Sequence, residues 1–225
     1  MATLWARGLR RVYGSGSSCV EALRGVDLMV SQGEFVAVVG PSGCGKTTLL
    51  HLCGAMDRAT TGTVSIQGVE LADLDDEDLT KLRRDRIGFV FQFFNLLPTL
   101  TLAENIALPL LLAGVPEIQG AARAREGAEC VGLGHRLSHY PAQVSGGELQ
   151  RAAVARAVIH QPVLLIADEP TGNLDTGAGQ RVLEILRTLN RDTGVSVLLA
   201  THDQLVASAA DRVLRLRDGI EVSPG

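Results

Sequence analysis

Apolar and polar residues alternate along Trp5 to Tyr13 and again along Val20 to Val30, the period of a half-buried strand. The turn-rich Gly14-Ser15-Gly16-Ser17-Ser18 between them predicts an antiparallel pair. Phe35 to Val39 differs, because it is an unbroken apolar run ended by Gly40, the pattern of a strand covered on both faces. A helix is predicted through Leu49 to Leu52 and a strand over Thr63 to Ile66. The stretch from Asp73 to Arg84 carries acids first and bases last, which suits a helix whose ends match its macrodipole. Ile87 to Phe91 reads as a second buried strand. From Phe93 to about His160 the pattern is helical, punctuated by Pro98, Pro109, Pro116 and Pro141. Strand and helix then alternate again: Val163 to Ala167, Thr176 to Arg191, Val195 to Ala200, and Arg212 to Leu216 before an Asp218-Gly219 turn.

This alternation, interrupted once, predicts an α/β fold with a mostly parallel sheet, an N-terminal antiparallel β part and an inserted helical lobe. The predicted division is a single domain, 1–225, with a core from 1–92 and 161–225 and a helical subdomain at 93–160. Composition narrows the function classes. The 225 residues carry 21 Lys+Arg against 25 Asp+Glu, a net charge of −4, with no basic block, so no nucleic-acid partner is expected. The apolar fraction of 46% is too high for a disordered chain. Cys19, Cys44, Cys53 and Cys130 lie far apart without a CxxC pair, which argues against a disulfide framework or zinc site and for a reducing compartment. Met1 to Arg11 lacks the apolar core of a signal peptide, and Leu96 to Val115, the most apolar stretch, is broken by Pro98, Glu104, Asn105 and Pro109. The chain is therefore expected not to cross a membrane by itself.

Chemistry concentrates in Gly40-Pro41-Ser42-Gly43-Cys44-Gly45-Lys46-Thr47, a GxxxxGK[ST] motif between a buried strand and a helix. Its glycines let the backbone N–H groups from Gly43 to Thr48 curl around phosphate oxygens at a helix N-terminus. Lys46 would reach the β- and γ-phosphates and the Thr47 hydroxyl would ligate Mg²⁺. The motif points to a P-loop NTPase core that takes a nucleotide with Mg²⁺, and the family resemblance described below implies that this core is RecA-like and that the nucleotide is ATP. Asp168 and Glu169 end the apolar run Val163 to Ala167, where ligands bind at the carboxyl edge of a sheet. Asp168 would hold the metal and Glu169 would orient and deprotonate water. Cys44, beside Lys46 and a helix start, is expected to react with alkylating agents and to be protected by ATP.

Val144-Ser145-Gly146-Gly147-Glu148-Leu149-Gln150-Arg151 resembles the signature sequence of ATP-binding-cassette (ABC) ATPases, and the order of motifs along nearly the whole chain is similar to theirs. The resemblance implies a homodimer with ATP at its interface, Ser145, Gly146 and Gly147 of one copy closing on the nucleotide held by the other. It implies that Tyr13 stacks on adenine, that Gln92 contacts Mg²⁺ and water and links the lobes, that Asp175 acts across the dimer, and that His202 touches the γ-phosphate. Val144 and Leu149 depart from the commoner Leu and Gln or Arg, leaving the Ser-Gly-Gly clamp intact. Arg83 to Gln92, Phe94-Asn95-Leu96-Leu97-Pro98 and Glu169 to Asp175 resemble the branch of lipoprotein-release, macrolide-efflux and antimicrobial-peptide-resistance ATPases. That branch implies an ATPase motor at the inner face of the cell membrane, cytoplasmic and peripheral, driving export or force transmission by separate transmembrane permease subunits. Phe93, Phe94, Leu96, Leu97 and Leu108 to Leu112 are the candidate docking residues on the helical lobe. Two rival readings are a soluble ABC-type ATPase of DNA repair or translation and a P-loop small-molecule kinase. The first usually carries a long coiled-coil insertion or tandem cassettes, and the second needs no Ser145-Gly146-Gly147.

Overall fold

Residues 1–14 and 18–222 are described by the computed structural model, so the centre of the turn expected at 14–18 lies outside the described residues. The N-terminal alternation builds β1 (Ala2–Tyr13) and β2 (Val20–Ser31), paired antiparallel with Trp5 opposite Met29 and Tyr13 opposite Val20. A register shift between Ala6 and Leu9, with Gly8 at φ 56°, keeps Leu4, Ala6 and Leu9 all on the buried face. β3 (Phe35–Val39) is buried at every position and leads through the glycine-rich loop into α1 (Lys46–Cys53). β4 (Thr61–Ile66) pairs with β1 and with the short β5 (Val69–Glu70), so the N-terminal pair grows into a four-stranded antiparallel sheet ordered β2-β1-β4-β5.

α2 (Asp76–Arg86) starts at Asp75, whose side chain accepts from the Asp78 N–H, and runs into β6 (Ile87–Phe91). The interrupting segment contains α3 (Leu102–Leu112), α4 (Glu117–Cys130) and α5 (Gly146–Val158). These helices bury Leu102, Ile106, Leu110, Ala124, Ala128 and Ala152 in a cluster of their own. Two expectations change here. Residues 93–101 are turns and extended chain rather than helix, and Pro109 lies inside α3 instead of ending it. An interior proline costs about 3 kcal/mol. Burial of Leu102, Ile106 and Leu110 on one face of α3, at roughly 1.5–3 kcal/mol each, outweighs it.

The alternation resumes with β7 (Leu164–Asp168), α6 (Thr176–Thr193), β8 (Ser196–Thr201), the short α7 (Gln204–Ala207), β9 (Arg212–Arg217) and β10 (Ile220–Glu221). The second sheet is ordered β10-β9-β3-β8-β7-β6 and is parallel except for β9-β10. Its faces are covered by two clusters: one shared with the antiparallel sheet and α1, the other holding Val154, Val182 and Leu186 from α5 and α6. Among the described residues no helix is long and apolar enough to cross a membrane.

Candidate active site at the carboxyl edge of the parallel sheet

Strand register assembles the site. Val39 lies opposite Thr201, Asp168 opposite Ala200, and Phe91 opposite Asp168, so β3, β8, β7 and β6 end together. The next residues in the chain, Gly40, His202, Glu169 and Gln92, therefore leave the sheet along one edge. The loop after β3 needs two of its glycines for identifiable reasons. A Cβ on Gly40 would sit 2.2 Å from the Leu216 carbonyl oxygen, and Gly45 has φ 106° at the N-cap of α1. The loop is braced from below by the Gly219 N–H, which donates to the Cys44 carbonyl at 3.1 Å. Sequence reasoning saw the Asp218-Gly219 turn but not that it abuts the loop.

Lys46 is buried and folds over the loop, its Nζ donating to the carbonyls of Gly40 at 2.9 Å and Pro41 at 3.2 Å. The same Nζ is 3.6 Å from Glu169 Oε1, and Glu169 Oε2 is 2.9 Å from His202 Nδ1. Lysine, carboxylate and imidazole thus form one chain of contacts. Ser42, Gly43 and Thr47 are exposed at the loop's mouth, and Thr48 is half-buried. Cys44 is buried, with its thiol turned toward Gly40 and not toward the mouth. The alkylation expected from sequence is therefore shielded by packing. Glu169 occupies φ 47°, a left-handed conformation that costs a non-glycine residue energy and clusters at functional sites. Its N–H donates to the Ala200 carbonyl at 3.0 Å and its carbonyl accepts from Gly172, which holds it there.

Asp168 has the surroundings of a metal ligand. Burial raises its pKa, only partly offset by a hydrogen bond with Thr47, and its Oδ1 is buried with no hydrogen-bond partner. An unsatisfied buried carboxylate oxygen beside a threonine hydroxyl is a hard-oxygen donor pair of the kind Mg²⁺ takes. Among the described residues there is no group of three or more His, Cys, Asp or Glu that could cage a metal. Gln92 is tied to the loop after Glu169: its Nε2 donates to Asn173 Oδ1 and its carbonyl accepts from Asn173 Nδ2, both at 3.1 Å. Nothing local in the chain signals this contact between Gln92 and Asn173, which spans 81 residues.

Ser145 is the N-cap of α5 in a capping box with Glu148: Glu148 N–H donates to Ser145 Oγ, and the Ser145 N–H and hydroxyl donate to Glu148 Oε2. These bonds, with Arg136 beside it at 3.0 Å, hold Glu148 down at about 2. Gly146 and Gly147 form the first turn, and a Cβ on Gly147 would lie 2.9 Å from the Ala178 Cβ of α6. Asp175 caps α6, accepting from the Ala178 N–H at 2.9 Å. Tyr13 is half-exposed, its hydroxyl donating to Asp57 at 2.8 Å and one ring face covered by the Arg11 guanidinium at 4.6 Å.

The lobe and the core also enclose a groove of about 380 Å³, whose lining includes Phe89, Phe91, Leu108, Leu112 and Arg156. Of the candidate docking residues, Leu108, Pro109 and Leu112 line it, while Phe93 and Leu97 are exposed outside its lining. Phe94 packs toward Gly146, and Leu96 packs on the helical cluster. A wider groove, about 960 Å³, lies between α4, α5 and α6 and is bordered by Ser145 and Arg151; no phosphate-loop residue lines it.

A phosphate cradle at the switch point of a parallel sheet, facing a paired acid and a histidine, defines a P-loop nucleotide hydrolase. The ABC transporter family model matches residues 23–172. The chain is 49% identical over 211 residues to the lipoprotein-releasing system ATP-binding protein LolD of Geobacter metallireducens, covering 94% of each. It is 46% identical over 214 residues to the macrolide export ATP-binding/permease protein MacB of Syntrophobacter fumaroxidans, covering 94% of this chain but 30% of that longer protein. The solved dimer of the ATP-binding cassette MJ0796 in a post-hydrolysis state bound to ADP and Pi superposes with a TM-score of 0.91 at 40% identity, covering 98% of this chain and 97% of that one. The chain belongs to the ABC transporter family. It is an ATP-hydrolysing, nucleotide-binding subunit, and neither the DNA-repair or translation reading nor the kinase reading is favoured.

Proposed function

We propose that two copies of this chain close on two Mg-ATP at a shared interface and drive separate transmembrane permease subunits in export or in force transmission across the envelope. The convergence of Lys46, Glu169 and His202 within hydrogen-bond and ion-pair reach carries the catalytic half of this reading. The loop from Gly40 to Thr48 binds the phosphates, chiefly through the backbone N–H groups of Gly43 to Thr48, and Lys46 neutralises charge on the transferring phosphoryl group. Glu169 orients the attacking water and accepts its proton, and His202, bonded to Glu169, stabilises the γ-phosphate oxygens. Thr47, Asp168 and Gln92 would hold Mg²⁺, which supplies charge neutralisation between the phosphates when bound. Ser145, Gly146 and Gly147 of the other copy complete the site, Asp175 lies along the same interface, and Tyr13 takes the adenine.

The core is 1–92 and 161–225, and the helical subdomain is 93–160. Relatives named for lipoprotein release and macrolide export support the export or envelope reading and a place at the cytoplasmic face of the membrane. The apolar groove lined by Leu108 and Leu112 is the seat proposed for a permease segment. Glu169→Gln tests the core of this account: the variant should bind ATP normally, lose at least about 100-fold in turnover and accumulate as a closed dimer by size-exclusion chromatography with ATP. Near-normal turnover would remove Glu169 from the base role.

A further inference from the structure

Two consecutive non-glycine residues, Phe94 at φ 60° and Asn95 at φ 50°, stand in the left-handed region, separated from Gln92 only by Phe93. Such a conformation persists only where its surroundings hold it. The holder is on another element. From the last turns of α5, Arg156 donates through Nη2 to the Phe94 carbonyl at 2.9 Å and through Nη1 to the Asn95 carbonyl at 2.6 Å. Its guanidinium is largely desolvated, which lowers its pKa, and among the described residues no carboxylate forms an ion pair with it. A half-buried cation bound to two carbonyls instead of an acid is held by shape, because the planar fork matches two adjacent oxygens and a lysine could not. At the other end of the same helix, the Phe94 ring returns the contact: its Cζ lies 3.7 Å from where a Cβ on Gly146 would stand. The strained turn is therefore gripped by both ends of α5, while the preceding Gln92 is bonded to Asn173.

We propose that Arg156 is a positioning residue: by clamping the Phe94–Asn95 turn to α5, it makes the Gln92 segment and the Ser145–Gly146 helix start move as one body. Formation of the metal-side contact in one copy then sets the angle at which its signature helix meets the nucleotide of the other. The inference rests on the proposed roles of Gln92 and Ser145 at the nucleotide.

The test uses the purified chain and Mg-ATP, with steady-state turnover measured over protein concentration, ATP affinity measured by titration at low protein concentration, and thermal unfolding as the folding check. Arg156→Gln and Arg156→Lys should keep ATP affinity within about twofold and lower kcat about tenfold or more, because misplacement and not loss of binding is the defect. Phe94→Ala approaches the clamp from its other end and should reproduce the same split, which keeps the test open if Arg156→Gln does not fold. A merely structural role would lower the unfolding midpoint while leaving kcat per folded molecule unchanged. That outcome, or near-parental kcat in folded Arg156→Lys and Phe94→Ala, overturns the clamp. Ser145→Ala and Gln92→Ala run alongside: if these also turn over normally, the site reading has failed, whereas a loss in them alone refutes only the role of Arg156.

Discussion

Glu169 combines a left-handed backbone with the carboxylate that bridges Lys46 and His202, so its side chain and its φ of 47° can be separated by substitution. Glu169→Ala and Glu169→Gly both remove the carboxylate, but only glycine also removes the strain. The glycine variant should be about 1 kcal/mol more stable than the alanine variant in urea denaturation, and both should be inactive; equal stabilities would mean that the backbone there is unstrained. Glu148 makes a pH prediction with a definite sign. Its folded pKa of about 2 lies below the ordinary 4.5, so its contribution is fully present above 4.5 and is lost as pH falls toward 2. The stability difference between the parent and Glu148→Gln, which keeps a capping side chain without a charge, should shrink as pH is lowered from about 5 to about 3. A constant difference would show that the carboxylate charge is not what α5 uses. At this scale the phosphate loop, the Asp168-Glu169 pair and the Ser145 cap were legible because each is a local pattern. The grips of Arg156 on Phe94 and of Gly219 on Cys44 join residues 62 and 175 positions apart, and no local pattern signals them.

Elements meet here through glycines that leave no room for a side chain. A Cβ on Gly88 in β6 would stand 2.1 Å from the Ala157 carbonyl oxygen in α5, and because the obstacle is helix backbone it cannot shift easily. Gly88→Ala should therefore destabilise the fold by about 1–3 kcal/mol or more and, by pushing β6 from α5, should also lower turnover. An unchanged denaturation midpoint would argue against that close approach. Asp175→Ala removes the α6 cap and should cost about 1 kcal/mol, separately from any effect at a dimer interface, which dilution would reveal as a change in the concentration dependence of turnover. Buried strands were legible as unbroken apolar runs, since both faces of β3, β7 and β8 are covered. What sheet a strand joins was not: β4 pairs with β1 across a long separation, and its alternating pattern fits either sheet. Pro109 misled in the other direction, because the packing of α3 overrides a local breaker.

At the scale of the molecule, the polar edge of the parallel sheet and the apolar groove between lobe and core are different surfaces that adjoin at Phe91 and Arg156, both of which line the groove. The groove of about 380 Å³ has Leu112 at its rim, 69% exposed, on a helix that contributes nothing to the phosphate loop or to the Asp168-Glu169 pair. An exposed leucine beside an apolar concavity is better covered by a partner than by water. Leu112→Glu places a charge there without disturbing the buried positions of α3, Leu102, Ile106 and Leu110. The substitution should leave unfolding temperature and the turnover of the isolated chain unchanged. In a complex with the proposed membrane subunits it should abolish both co-purification and any stimulation of turnover by them, since covering an ionised carboxylate with an apolar partner segment costs its hydration. Normal assembly of Leu112→Glu would move the docking site to the exposed Phe93 and Leu97 outside the groove. Loss of isolated turnover would instead mean that groove and nucleotide edge are coupled through α3, and that the two surfaces work as one.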